Sequence, residues 1–172
     1  MADKKKRQTW RLAAGFALLA VVILILAGLN RRDDLPDSGS LALKAGDDEI
    51  AVYTMEEVQA LPYIEVEKEI VSSSYANDFG LFRGVPVREL WADAGVEPAD
   101  YRQMVVTSED GFVAVFPVAE VMDSDSVMLI YAKNGEPLGS MSDGCVGPFR
   151  ILVVDDEFGN RCAKYVSELA LK

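Results

Sequence analysis

Residues 12–29, LAAGFALLAVVILILAGL, contain no charged and no strongly polar side chain. As a helix this run of 18 residues spans about 27 Å, close to the hydrocarbon thickness of a bilayer. Trp10 and Arg11 precede it and Asn30, Arg31 and Arg32 follow it, as residues of the two interfaces would. The run reads as a membrane-spanning helix, which leaves only the residues on either side of it to fold in water. A cleaved secretory signal shares the form of a basic start followed by an apolar stretch. Here the run is longer than a usual signal core, and Leu26-Ala27-Gly28-Leu29 offers no good pair of small residues for cleavage. An uncleaved anchor is the preferred reading.

Charge orients the anchor. Lys4, Lys5, Lys6, Arg7 and Arg11 lie before the run, against Arg31 and Arg32 after it, so the basic tail at residues 1–11 is expected in the cytoplasm and the remainder outside. Residues 33–172 carry 10 basic and 27 acidic side chains, a net charge of -17. Such a surface repels nucleic acid and anionic lipid headgroups, so no nucleic-acid partner is expected. Histidine is absent from the chain, which removes the commonest acid–base group at neutral pH and the commonest metal ligand. Two cysteines, Cys145 and Cys162, can form one disulfide in an oxidising compartment but are too few for a disulfide framework or a zinc site.

Residues 30–48 are rich in Asp, Ser, Gly and Pro and read as a linker, with the folded domain at residues 49–172. Ile50 to Tyr53 form a short strand, and Thr54-Met55-Glu56-Glu57 is a capping box opening a short helix that Pro62 ends. A strand follows up to Val71, then the polar loop SSSYANDFG. Gly84-Val85-Pro86 opens a second helix with Val87, Leu90 and Trp91 on one face and Gly95 as its stop. Gln103 to Ser108 and Phe112 to Phe116 form a hairpin, and Pro117 to Val121 a single helical turn. Ser126 to Ala132 is an apolar strand closed by the Asn134-Gly135 turn. The last two strands, at 149–154 and 161–171, are expected to pair across a turn at 155–160. Many short strands with two short helices predict an α+β domain.

General catalytic templates are missing. Without histidine no Ser-His-Asp or Cys-His arrangement exists, and neither a G-x-x-x-x-G-K nor a G-x-G-x-x-G motif occurs. Asp47-Asp48 and Asp155-Asp156 fall in turns, where solvation accounts for them. The run Ser72-Ser73-Ser74 offers hydroxyls and backbone amides to an anion, although a polar loop is the simpler reading.

The order of segments says more than any one of them. Gly-Val-Pro with a helix ending in AGV, then TSEDGFVAVFPVAEV, LIYAKNGEPL, GPFRILVV and a terminal KYVSELAL together resemble the molybdopterin-binding domain of the sulfite oxidase family. The resemblance covers residues 53–171. It implies that family's mixed α+β fold, and an ancestry among proteins that bind molybdenum through a pterin dithiolene and carry out redox transfers.

Carried over position by position, the resemblance implies an incomplete site. The position of the cysteine that ligates molybdenum in the family falls at or near Ser72, within VSSSY, and a neutral hydroxyl is a poor donor to a metal that seeks thiolate. The family's H-G-x-P-x-R reads Cys145-Val146-Gly147-Pro148-Phe149-Arg150, which keeps the arginine and replaces the histidine by Cys145. A family lysine corresponds to Lys164. Arg150 and Lys164 suit a phosphate, the first by a fork of charge-assisted hydrogen bonds and the second as a point charge. Each also has a plainer role: Arg150 can pair with a nearby carboxylate, and Lys164 can lie on a solvated face. Cys145 is read first as a structural residue or a disulfide partner of Cys162, then as a redox-active thiol, and last as a replacement metal ligand.

Taken together, the sequence predicts a single-pass protein of the cell membrane, held in the lipid bilayer by residues 12–29, with an extracytoplasmic domain of sulfite oxidase-like fold. Two functions are open. In the first the domain is a catalytically degenerate binding or accessory module of a redox system, with a redox protein as partner and no cofactor. In the second it is a molybdopterin-dependent oxidoreductase with an altered metal shell.

Overall fold

The computed structural model describes residues 21–22, 39–72, 76–123 and 125–172. The chain divides into two units, residues 1–34 and 35–172. Of the first unit only Val21 and Val22 are described, both helical, so the expected tail at 1–11 and most of the expected spanning helix at 12–29 lie outside the described residues. No helix among the described residues is long and apolar enough to cross a membrane.

The second unit is built from two sheets and three short helices. The first sheet has the order β2-β1-β10-β5-β6, from β1 (Ser40–Ala45), β2 (Asp48–Thr54), β5 (Gln103–Ser108), β6 (Val113–Pro117) and β10 (Val166–Leu171). Only β1 and β10 run parallel, with Leu43 opposite Leu169; every other pair in this sheet is antiparallel. The second sheet has the order β3-β4-β7-β8, from β3 (Ile64–Ile70), β4 (Asp78–Pro86), β7 (Val127–Lys133) and β8 (Glu136–Pro137), with β9 (Arg150–Val153) also paired to β7. Helices α1 (Met55–Ala60), α2 (Val87–Asp93) and α3 (Val118–Asp123) lie between strands in the chain. This is the mixed α+β architecture expected.

Local chemistry explains the elements. Thr54 caps α1 as expected: its hydroxyl accepts from the Glu57 amide while the Glu57 carboxylate accepts from the Thr54 amide at 2.8 Å. Val87, Leu90 and Trp91 are the buried face of α2, and Gly95 follows it with φ +69°, a left-handed turn that a residue with a Cβ resists. Strand β3 alternates exposed Glu65, Glu67 and Glu69 with less exposed neighbours, the period-two pattern of a sheet with one face in water.

Strand β7 is buried on both faces, in keeping with its unbroken apolar run VMLIYA. Val127, Leu129 and Tyr131 join the main core, which draws Leu41 and Leu43 from β1, Val106 from β5, Phe116 from β6, Leu169 from β10 and Trp91 from α2. Met128 and Ile130 point the other way, into a smaller cluster with Ile70, Phe82, Leu138, Leu152 and Cys162. This second face of the β4-β7-β9 sheet carries the candidate site.

Two expectations are corrected. The linker assigned to residues 30–48 ends earlier, because SLALKA at Ser40–Ala45 is strand β1 with Leu41 and Leu43 fully buried. Its polar neighbours hid a strand with only two strongly apolar residues, Leu41 and Leu43. The pairing of the last two strands also differs: β9 pairs with β7, and β10 with β1 and β5. The segment expected to open the last strand at residue 161 is instead a short 3-10 turn, Gly159–Arg161, followed by irregular chain. The Ile151 amide donates to the Ala163 carbonyl at 2.8 Å, so the two segments touch without sharing a ladder.

Candidate functional site

A cavity of about 390 Å³ opens where β3 ends, β4 and β9 begin, and the chain leading into β10 turns back. Ser72, Asp78, Arg150, Cys162 and Lys164 line it, with Asp110 and Phe112 from the β5–β6 turn. Three of the residues proposed from sequence, Ser72, Arg150 and Lys164, are thus brought into one cavity although 92 positions separate the first from the last. Cys145 is not among them; its neighbour Val146 is. The Cys145 thiol packs against Gly139, where a Cβ would come within 2.7 Å of Sγ, and lies 3.8 Å from the Asp143 carbonyl.

The disulfide open to Cys145 and Cys162, beside a structural role for Cys145, is absent from the structure. Cys145 and Cys162 are both free thiols, the first partly exposed and the second buried in the smaller core cluster. They occupy different environments because the strand expected to pair them belongs to another sheet. Burial pushes the Cys162 thiol up, against the smaller opposing effect of the Arg150 charge.

Arg150 begins β9 and is buried, at 4% exposure. Its place follows from the pleat: Arg150 and Leu152 lie on the face of β9 that looks away from the main core, as Asp78 and Phe82 do on β4. Nη1 of Arg150 donates to Asp78 Oδ2 at 2.6 Å. Nζ of Lys133 donates to the other oxygen of the same carboxylate and lies 5.7 Å from the centre of the Phe82 ring. Burial alone would raise Asp78; the hydrogen bonds from Lys133 and Arg150 outweigh it and hold the carboxyl below its usual range. Nε of Arg150 is buried without a hydrogen-bond partner among the described residues.

The part of the lining that carries Cys162 and Lys164 is held by other charges. Arg161 grips both oxygens of Asp156, at 2.8 and 2.6 Å, reaches Glu120 at 2.8 Å, and lies over the Phe116 ring at 5.1 Å. Lys68 Nζ donates to the carbonyls of Val154 and Asp156, at 2.7 and 2.5 Å. Phe158 bridges to Val71, and the Gly159 amide donates to the Val71 carbonyl at 2.9 Å. These contacts bring the chain bearing Cys162 and Lys164 beside Ser72. Tyr165, next to Lys164, has φ +55°, a conformation that costs a residue with a side chain about 1–2 kcal/mol and here turns the chain from the cavity wall into β10.

Sequence reasoning missed Asp78, Lys133, Asp110, Phe112 and the cavity position of Cys162. Asp78 had one signal: the alternation that makes β4 a strand begins with it, directly after a polar loop. Lys133 had none, since its partner lies 55 positions away.

Chemically, the cavity offers an anion two cationic side chains, Arg150 and Lys164, beside two carboxylates, Asp78 and Asp110. This donor set meets only part of what a molybdenum pterin requires. The anionic end of such a group fits Arg150 and Lys164. The metal end does not fit: Ser72 brings a hydroxyl, and burial pushes the thiol of Cys162, the one sulfur in the lining, away from the thiolate a metal binds. No group of three or more metal-ligating side chains occurs among the described residues.

Comparison with known proteins places this geometry. The family model described as "Oxidoreductase molybdopterin binding domain" matches residues 36–172. The crystal structure of the sulfane dehydrogenase SoxCD from Paracoccus pantotrophus superimposes with a TM-score of 0.63 at 23% identity, over 81% of this chain. This chain spans 39% of the length of the SoxCD chain, and the likeness is one of fold. No curated protein matches it in sequence.

Proposed function

The chain belongs to the oxidoreductase molybdopterin binding domain family, and from that premise we propose that it is a membrane-anchored, extracytoplasmic binding module of a redox system that no longer performs metal-centred chemistry. The observation that carries the reading is the composition of the cavity wall. Two cations suited to an anionic ligand, Arg150 and Lys164, are kept, while a serine, Ser72, stands where the family resemblance calls for a thiolate. A serine hydroxyl must lose a proton of high pKa before it can bind a soft metal centre strongly. In this reading the cavity holds an anionic ligand, the apolar run at 12–29 anchors the chain in the bilayer, and the acidic outer domain attracts a basic redox partner.

One observation favours a second reading, an oxidoreductase with an altered metal shell: Cys162 lines the same cavity as Ser72 and would supply a sulfur there. Metal analysis separates the two. The full chain, purified from cells that make the pterin cofactor, is expected to carry far less than one molybdenum per chain; stoichiometric molybdenum, lost in Cys162→Ser, would establish the second reading instead.

A further inference from the structure

The Arg150 guanidinium is almost wholly out of water and meets a carboxylate that itself lines the cavity, which is an odd neighbour for an anion. A buried guanidinium has to be paired, yet it is paired here through one corner only, Nη1, while Nε stays buried and unpartnered among the described residues. The carboxylate is in turn neutralised from behind by Lys133, which is not part of the cavity wall. Lys133 reaches Asp78 across Gly80, where a Cβ would come within 3.0 Å of Lys133 Cγ and closer still to Cε. Glycine at this point leaves room for the lysine.

We propose that Asp78 is the positioning residue of this cavity: backed by Lys133, it fixes the Arg150 guanidinium by Nη1 and so presents the remaining N–H groups of Arg150 to a small oxyanion. The triad of Lys133, Asp78 and Arg150 keeps one net positive charge beside the cavity, whereas an Asp78–Arg150 pair alone would keep none. Lys133 therefore cancels the repulsion that the Asp78 carboxylate would exert on an anion, and Asp78 removes the freedom of the Arg150 side chain that binding would otherwise have to freeze. This inference rests on reading the cavity as an anion site.

The test uses the sign of one substitution. Asp78→Asn removes a negative charge next to the ligand, so an Asp78 that acted only through its charge would, once neutralised, let the cavity bind anions more tightly. A positioning Asp78 predicts the reverse. Titration of the full chain with inorganic phosphate is expected to show affinity at least tenfold weaker in Asp78→Asn and several-fold weaker in Lys133→Met and Gly80→Ala, with Arg150→Ala weakest. Equal or tighter binding by a folded Asp78→Asn chain overturns the proposal. If Asp78→Asn does not fold, Lys133→Met decides, since unchanged affinity there overturns it equally. If the unaltered chain takes up no phosphate, the anion-site reading fails, and positioning is judged without ligand from the Arg150 Nε–H resonance. Positioning predicts a slowly exchanging signal that broadens in Asp78→Asn and Lys133→Met; a signal unchanged in both overturns it.

Discussion

Cys145 and Cys162 show how far a residue's chemistry depends on what surrounds it. From sequence, a structural role for Cys145 and a disulfide with Cys162 stand equally open. In the fold Cys145 stands partly exposed beside Gly139, while Cys162 is buried and that burial pushes its thiol up. Only the thiolate attacks an alkylating reagent. Treated with iodoacetamide near pH 8 without denaturant or reductant, the chain is expected to gain one adduct quickly, lost in Cys145→Ser, and a second at least tenfold more slowly. Both adducts form quickly in denaturant. A chain that gains neither until it is reduced would carry the disulfide after all. Arg150 teaches the converse lesson: its retention was visible in the string, but its carboxylate partner, Asp78, lies 72 positions upstream and could be found only in the fold.

At the scale of elements, local signals held where the chain supplies its own partners. The Thr54–Glu57 capping box satisfies backbone amides within four residues, so it was legible and is present. Its helix, α1, is only six residues long and cannot persist by propensity. Thr54→Ala is expected to cost about 1 kcal/mol in urea denaturation, and Thr54→Ser much less; equal losses in the two would place the effect in packing of the threonine methyl. Pairing was not legible in the same way. β9 is short and apolar, and nothing in RILV distinguishes β7 from β10 as its neighbour. That choice is made by β7, which offers β9 an open edge and an apolar face on each side. The turn at Asp155–Asn160 then serves as a loop between sheets, pinned by Lys68 and Arg161, rather than as a hairpin.

For the whole molecule, the strand that matters most is the one the sequence concealed. β1 joins β2 to β10 and so holds the first sheet together, and its Leu41 and Leu43 are fully buried in the main core. Burying one such leucine is worth about 2 kcal/mol or more, and losing both would remove a large share of a domain's net stability. A chain shortened to begin at residue 35 is expected to unfold cooperatively, whereas one that begins at residue 48 is not; cooperative unfolding of the shorter chain would restore the linker boundary near residue 48. Periodicity, caps and ordered motifs are written in neighbouring residues, so the α+β class, the family, the apolar face of α2 and the candidate residues Ser72, Arg150 and Lys164 could be read from the chain alone. That β1 is a strand, that the cysteines are free thiols, and that Asp78 and Lys133 stand behind Arg150 emerged from the fold. Each of those rests on partners far away in the chain, and a buried charge shows what neutralises it only when the strands that carry the two groups are laid side by side.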